Sequence, residues 1–131
     1  LALYLDCLTN QKKYTEAQNF YDSLSEETKK NKNIISSFKK YIIKKEQSEG
    51  PNLKSLEDQF HTNKNIDVVL KLTDKYFAEN MYDECFNLLL SNYIKNKEPI
   101  KEKFIKLFEA LGNTHEKTIF YRKKFSSIMF S

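Results

Sequence analysis

The residues able to do acid–base, nucleophilic or metal chemistry in this chain are few and far apart. His61 and His115 fall in different helical segments, with no cysteine or suitably spaced carboxylate beside either. A zinc site or a Cys–His nucleophile would need such ligands close together. Cys7 and Cys85 stand outside any CxxC or Cys/His spacing, which fits small-hydrophobe roles in a reducing compartment. No glycine-rich phosphate loop occurs, and the acids are scattered along predicted exposed faces without forming an acid–base pair. The sequence therefore implies no catalytic residues, no metal and no cofactor. The remaining oddity is Arg122, the only arginine among 22 basic residues, set in FYRKKF just beyond a run ending at Gly112.

The elements that would hold these residues are helices. Two Gly and two Pro in 131 residues leave too little turn chemistry for a sandwich or barrel, whereas Leu, Lys, Glu, Phe and Ile recur without interruption. A length of 131 residues suits one domain spanning residues 1–131, and the lack of an initiating Met is read as an excised piece of a longer chain. The longest apolar runs fall well short of a membrane span, and no signal-peptide pattern opens the chain, so no membrane association is expected. The net charge of +4 is spread over lysine pairs interleaved with acids. With a single arginine to read guanine or fork onto phosphate, a nucleic-acid surface is not expected either.

Helical segments alternate with short polar breaks, and the chain repeats itself. YLDCLTNQKKYTEAQNFY from Tyr4 aligns with LTDKYFAENMYDECFNLL from Leu72: Tyr14 meets Tyr82, Ala17 meets Cys85, and Tyr21 meets Leu89. This offset of 68 residues is twice the roughly 34-residue tetratricopeptide period. A middle copy begins in NIISSFKKYIIKKEQ, where Phe38 and Ile42 take the places of Tyr4 and Leu8. Its second helix keeps phase only if five residues around EGPN are inserted, and this is read as a lengthened turn.

The expected fold is all-α: a tetratricopeptide-like right-handed solenoid of about three helix pairs plus a C-terminal helical hairpin. Ala17 and Cys85 should mark close helix crossings, and the Tyr, Phe and Leu stripe should be core. KEPIKEKFIKLFEALGN carries Pro99 in its first turn and Gly112 just past its end. Asn113 should then cap the last helix, with Glu116 completing a capping box.

A solenoid of this kind presents a groove lined by the first helix of each pair. Lys39, Lys40, Lys71 and Lys75 are its candidate lining, suited to acidic or carboxylate-ended peptides. On the last helix Thr118, Tyr121, Phe125, Ile128 and Met129 form one seam, while Ile119, Phe120 and Phe130 fall elsewhere on the wheel. Either neighbouring helices clasp that helix on two sides, or Ile119, Phe120 and Phe130 form a partner-binding patch. Arg122 has no acidic neighbour three or four residues away. It is read as a clamp reaching Glu109 or the carbonyls before Gly112, in preference to a direct partner contact.

KFIKLFEALGNTHEKTIFYRKKFSSIMF, with LTDKYFAENMYDECFNLLL and PNLKSLEDQFHTNKNID before it, resembles the closing pattern of the bacterial thioredoxin-fused tetratricopeptide co-chaperones, the chaperedoxins. The resemblance implies a cytoplasmic, non-enzymatic holdase module that keeps unfolding proteins soluble and passes them to Hsp60 chaperonin and Hsp70. Any redox activity would reside in an N-terminal thioredoxin-like domain absent from this chain. It also implies a part in chaperonin docking for Ile128, Met129 and Phe130. The alternative is a generic scaffold repeat that assembles a folded complex.

Overall fold

Two turns decide the architecture. Leu8 to Ala17 and Tyr76 to Cys85, 68 residues apart, make the same hydrogen bonds: Lys13 N donates to Leu8 O at 2.9 Å, and Met81 N to Tyr76 O at 2.8 Å. The middle residue of each turn sits in the left-handed region, Lys12 at φ 61° and Asn80 at φ 62°. The identical pattern in the computed structural model establishes the repeat in the backbone itself. The structure describes residues 1–130.

Among the described residues there are nine helices and no strands: α1 Ala2–Asn10, α2 Tyr14–Asp22, α3 Glu26–Lys29, α4 Lys32–Glu49, α5 Leu53–Thr62, α6 Ile66–Ala78, α7 Tyr82–Asn92, α8 Lys97–Leu111 and α9 Glu116–Met129. The short α3, capped by the Ser25 hydroxyl, has no counterpart in the sequence reading. Asparagine supplies caps repeatedly: Asn31, Asn52 and Asn65 each accept a backbone N–H at the start of α4, α5 and α6. Part of the chain's asparagine richness is therefore structural.

The helix pairs are α1/α2, α4/α5 and α6/α7, followed by α8 and α9, an all-α helical repeat. The inserted five residues, however, do not lengthen a turn. Each pair is joined by three residues, and α4 runs on to Glu49, five beyond Lys44, the equivalent of the last residue of α1. Residues 45–49, KEQSE, are good helix formers, so the helix continues until Gly50 and Pro51 stop it. A C-terminal carbonyl of this added turn, Gln47 O, accepts from Lys75 Nζ at 2.8 Å.

Two apolar clusters make up the core. The smaller joins Leu5, Leu8, Ala17 and Tyr41, with Phe38 stacked on Tyr21 at 3.7 Å between ring centres. The larger runs from Ile43 and Val69 through Phe77, Cys85 and Phe86 to Phe104, Leu107, Phe108, Tyr121 and Phe125. Ala17 and Cys85 are fully buried where α1 meets α2 and α6 meets α7, and Leu56 is buried on α5, which packs against α6. Burial pushes the Cys85 thiol well above its ordinary pKa, and nearby Asp74 adds to the effect, so it packs as a neutral hydrophobe.

Beyond α7 the stack does not simply extend. α8 lies against α4 as well as α7, and touches α6. Ser36 on α4 donates to the Ala110 carbonyl at 2.9 Å, and Lys39 pairs with Glu109. Lys103 fixes the other side by a bidentate bond to Asp74 of α6, 2.9 Å to each oxygen. Gly112 then turns the chain at φ 104°, a left-handed value that favours glycine, with the position of a Cβ already 3.4 Å from Ser36 Oγ.

Candidate protein-binding surfaces

The lysines expected to line an open groove are mostly occupied by the chain itself. Lys39 pairs with Glu109 because α8 folds onto α4. Lys40 lies 3.7 Å from Asp6 of α1. Lys75 is buried, capping α4 and reaching Glu79 at 3.8 Å, so it does not face a groove. Lys71 is exposed on α6. Local spacing places all four on first helices, but the partners come from sequence-distant helices that no local pattern discloses.

A lysine missed by the sequence reading is better placed. Lys44 is buried where α1, α4 and the α6–α7 turn meet, and its Nζ donates to Asn10 Oδ1 at 2.9 Å and Asn80 Oδ1 at 2.6 Å. Its pKa is lowered to about 8, by desolvation first and nearby Lys40 second, with Asp6 and Glu79 opposing the shift. Asn80 also accepts from Tyr82 Oη at 2.9 Å, and the Tyr82 ring meets His115 edge-on at 5.6 Å. The imidazole's pKa is lowered by burial and then by Lys40. This cluster knits the turns together; it holds no convergent nucleophile and base. Among the described residues no group of three or more His, Cys, Asp or Glu side chains could hold a metal ion.

At the C-terminal end, His115 rather than Asn113 caps α9, its Nδ1 accepting from Lys117 N at 3.1 Å. Asn113 is free of that duty because the turn places its Oδ1 3.0 Å from Arg122 Nη2. The guanidinium also lies over the Phe108 ring, 5.3 Å from its centre. Arg122 thus ties α9 to the α8–α9 turn, but through a side-chain amide and a ring instead of Glu109 or the helix-end carbonyls. Glu109 is engaged by Lys39.

The inner seam of α9 is anchored by rings and one network. Phe125 stacks on Phe104 at 4.3 Å, and Tyr121 meets Phe86 at 5.1 Å. Tyr121 Oη donates to Asp83 Oδ1 at 2.5 Å, and Lys117 Nζ reaches both Asp83 oxygens at 3.0 Å. The hydroxyl and then the ammonium hold the Asp83 carboxyl below its ordinary pKa, while burial first and this carboxylate second push Tyr121 up to about 12.

α9 is clasped on one side only. Ile128 and Met129 are half-buried against the core, whereas Ile119, Phe120 and Phe130 are 46%, 49% and 81% exposed. Lys124 Nζ lies 4.7 Å from the Phe120 ring centre, and Arg122, Lys123 and Lys124 are all exposed. The outward face is thus apolar and cationic, with Glu116 at its head. Two apolar grooves flank α8. One, of about 370 Å3, is lined by Ile42, Ile43 and Ile105 between α4 and α8. The other, of about 400 Å3, lies between α8 and α9. No helix among the described residues is long and apolar enough to cross a membrane.

Neither a curated protein nor a solved structure matches the chain. A family model does, described as tetratricopeptide repeat, over residues 46–130, from the added turn of α4 to the end of α9. Members of that family are protein–protein interaction modules, and the match indicates no enzymatic family. With the duplicated turns, the small residues at the helix crossings and this match over more than half its length, the chain belongs to the tetratricopeptide repeat family.

Proposed function

We propose that the chain is the protein-binding module of a thioredoxin-type co-chaperone, capturing unfolding proteins without ATP and passing them to Hsp60 chaperonin or Hsp70 in the cytoplasm. The observation that carries the reading is the outward face of α9. A terminal helix of a folded repeat ordinarily turns polar residues to solvent, yet here Ile119, Phe120 and Phe130 stand exposed among lysines. Such a surface suits segments that are apolar and carry acidic residues, and the resemblance of residues 103–130 to the chaperedoxin ending supports the assignment. Ile128 and Met129 contribute from beneath, by holding the helix to the core.

Light scattering of a thermally unfolding client tests this. Substoichiometric suppression by the wild-type chain is expected, with loss of suppression in an Ile119→Ser, Phe120→Ser, Phe130→Ser variant whose helical circular dichroism is unchanged. Equal scattering with and without wild-type protein would remove the holdase reading. Substitution is preferable to truncation after Phe125, because truncation also removes the core contacts of Ile128 and Met129. A scaffold role is the second reading, favoured by the preformed groove of Ile42, Ile43 and Ile105 with its charged rim. Recovery of one stoichiometric folded partner, retained by the triple variant, would establish it.

A further inference from the structure

A cleft lies between α8 and α9, apart from the outer face of α9. The buried rings of Phe104, Phe108 and Phe125 lie beneath it, half-exposed Ile105 and partly buried Met129 give it an apolar surface, and its volume of about 400 Å3 falls in the range of ligand pockets, roughly 300–1,000 Å3. Its walls carry charges of both signs. Glu109 is turned towards Lys39 on the far side of α8, so of the three charges on the rim two, Lys101 and Arg122, are cations without an acidic partner. Among the described residues no carboxylate stands within ion-pair distance of either.

Arg122 is also preorganised. One nitrogen is tethered to Asn113 Oδ1 and the guanidinium lies over Phe108, so the plane is held over that ring while its other donors remain available. A planar fork in that position matches a carboxylate in a way lysine does not, and its orientation reduces the entropy lost on binding. This gives the single arginine of the chain a use beyond the hairpin it ties. We infer that the α8–α9 cleft binds an acidic, apolar peptide segment of a partner protein. A large apolar side chain packs against Ile105 and Met129 above the aromatic rings, and a carboxylate one helical turn away is held by Arg122, with Lys101 adding positive charge farther along the rim.

The test uses a short, terminally blocked helical peptide with Phe and Glu one turn apart, and a twin with Gln for Glu. The peptides are titrated into the whole chain with NMR detection. Shifts centred on the Met129 methyl, Phe104, Phe108 and Arg122 Nε are expected. At low salt the Glu peptide should bind at least about fivefold tighter than its twin. Arg122→Gln should abolish that preference and Lys101→Gln should reduce it. Equal affinities in the wild type, shifts confined to Ile119, Phe120 and Phe130, or no shifts at about 1 mM peptide would each overturn the assignment. Should Arg122→Gln fail to fold, Lys101→Gln and salt decide: a preference unmoved by both overturns it.

Discussion

Lys12 and Asn80 occupy the same place in two turns 68 residues apart, with φ of 61° and 62°, yet the side chains do opposite things. Lys12 is exposed and makes no use of its geometry, whereas Asn80 accepts from Lys44 and Tyr82. Glycine should relieve left-handed strain at both sites. Lys12→Gly is expected to stabilise the fold by about 1 kcal/mol. Asn80→Gly removes an acceptor from a buried ammonium and should destabilise it by about 1–2 kcal/mol. Urea midpoints of the two variants, moving in opposite directions, check the pair.

Lys44 should make stability rise with pH over a defined window. Its folded pKa of about 8 lies below the ordinary lysine value of 10.5, so between those values the unfolded chain binds more protons than the native one. Native stability therefore increases as pH climbs from about 8 towards 10.5. Lys44→Met, which lacks the buried amine, should exceed wild type in urea midpoint near neutrality, and the gap should close through this window. A constant gap across it would contradict the assignment.

Above pH 10 the tyrosines act the other way. Tyr76, Tyr82 and Tyr121 are each raised from 10.0 to about 12, so phenolate forms first in the unfolded chain and stability falls between those values. Each hydroxyl is desolvated, and Glu57 and Asp83 accept from Tyr76 and Tyr121 respectively. Tyr121→Phe should soften that loss. It should also raise the Asp83 pKa towards 3.8, and carbon-detected NMR of the carboxyl reports this directly.

Arg122 and Asn113 should couple modestly. Their one exposed hydrogen bond, guanidinium to side-chain amide, is worth about 0.5–1 kcal/mol. A double-mutant cycle with Arg122→Ala and Asn113→Ala should return a coupling of that size. A null result would mean the contact is not populated in solution.

Gly112→Ala should cost about 1–2 kcal/mol, because a residue with a Cβ is forced to φ 104° beside Ser36 Oγ. Ser36→Ala made in the same background leaves the backbone strain and removes the hydroxyl's bond to the Ala110 carbonyl, so it should not restore the thermal midpoint.

The repeat was legible because its markers are local. Tyr14 and Tyr82, and Ala17 and Cys85, recur in register, and Pro99 and Gly112 bracket α8 as such residues do. The position of the insertion was not legible, since EGPN looks like a long turn while KEQSE before it is equally content as helix. The cap of α9 was misplaced for a similar reason: Asn113 is the stronger capping type, but its side chain is taken by Arg122. The candidate groove was the least accessible part. Lys39 and Lys75 lie where the period puts them, but what they touch, Glu109 and Gln47, depends on α8 returning to α4 and on α4 being a turn too long. The outward apolar face of α9 could be drawn on a wheel; whether a second helix covers it required knowing where α7 and α8 stop.

The return of α8 to α4 has a consequence for how the molecule comes apart. In a linear stack each unit leans only on its neighbours, so the array can fray from either end one unit at a time. Here Ser36–Ala110 and Lys39–Glu109 join the second pair to the last, and Lys44 joins the first pair to the third. The chain is wired as a closed circuit. Pulled between its ends, it should give way in one abrupt event, and its slowest amides should exchange together instead of in a graded series along the axis.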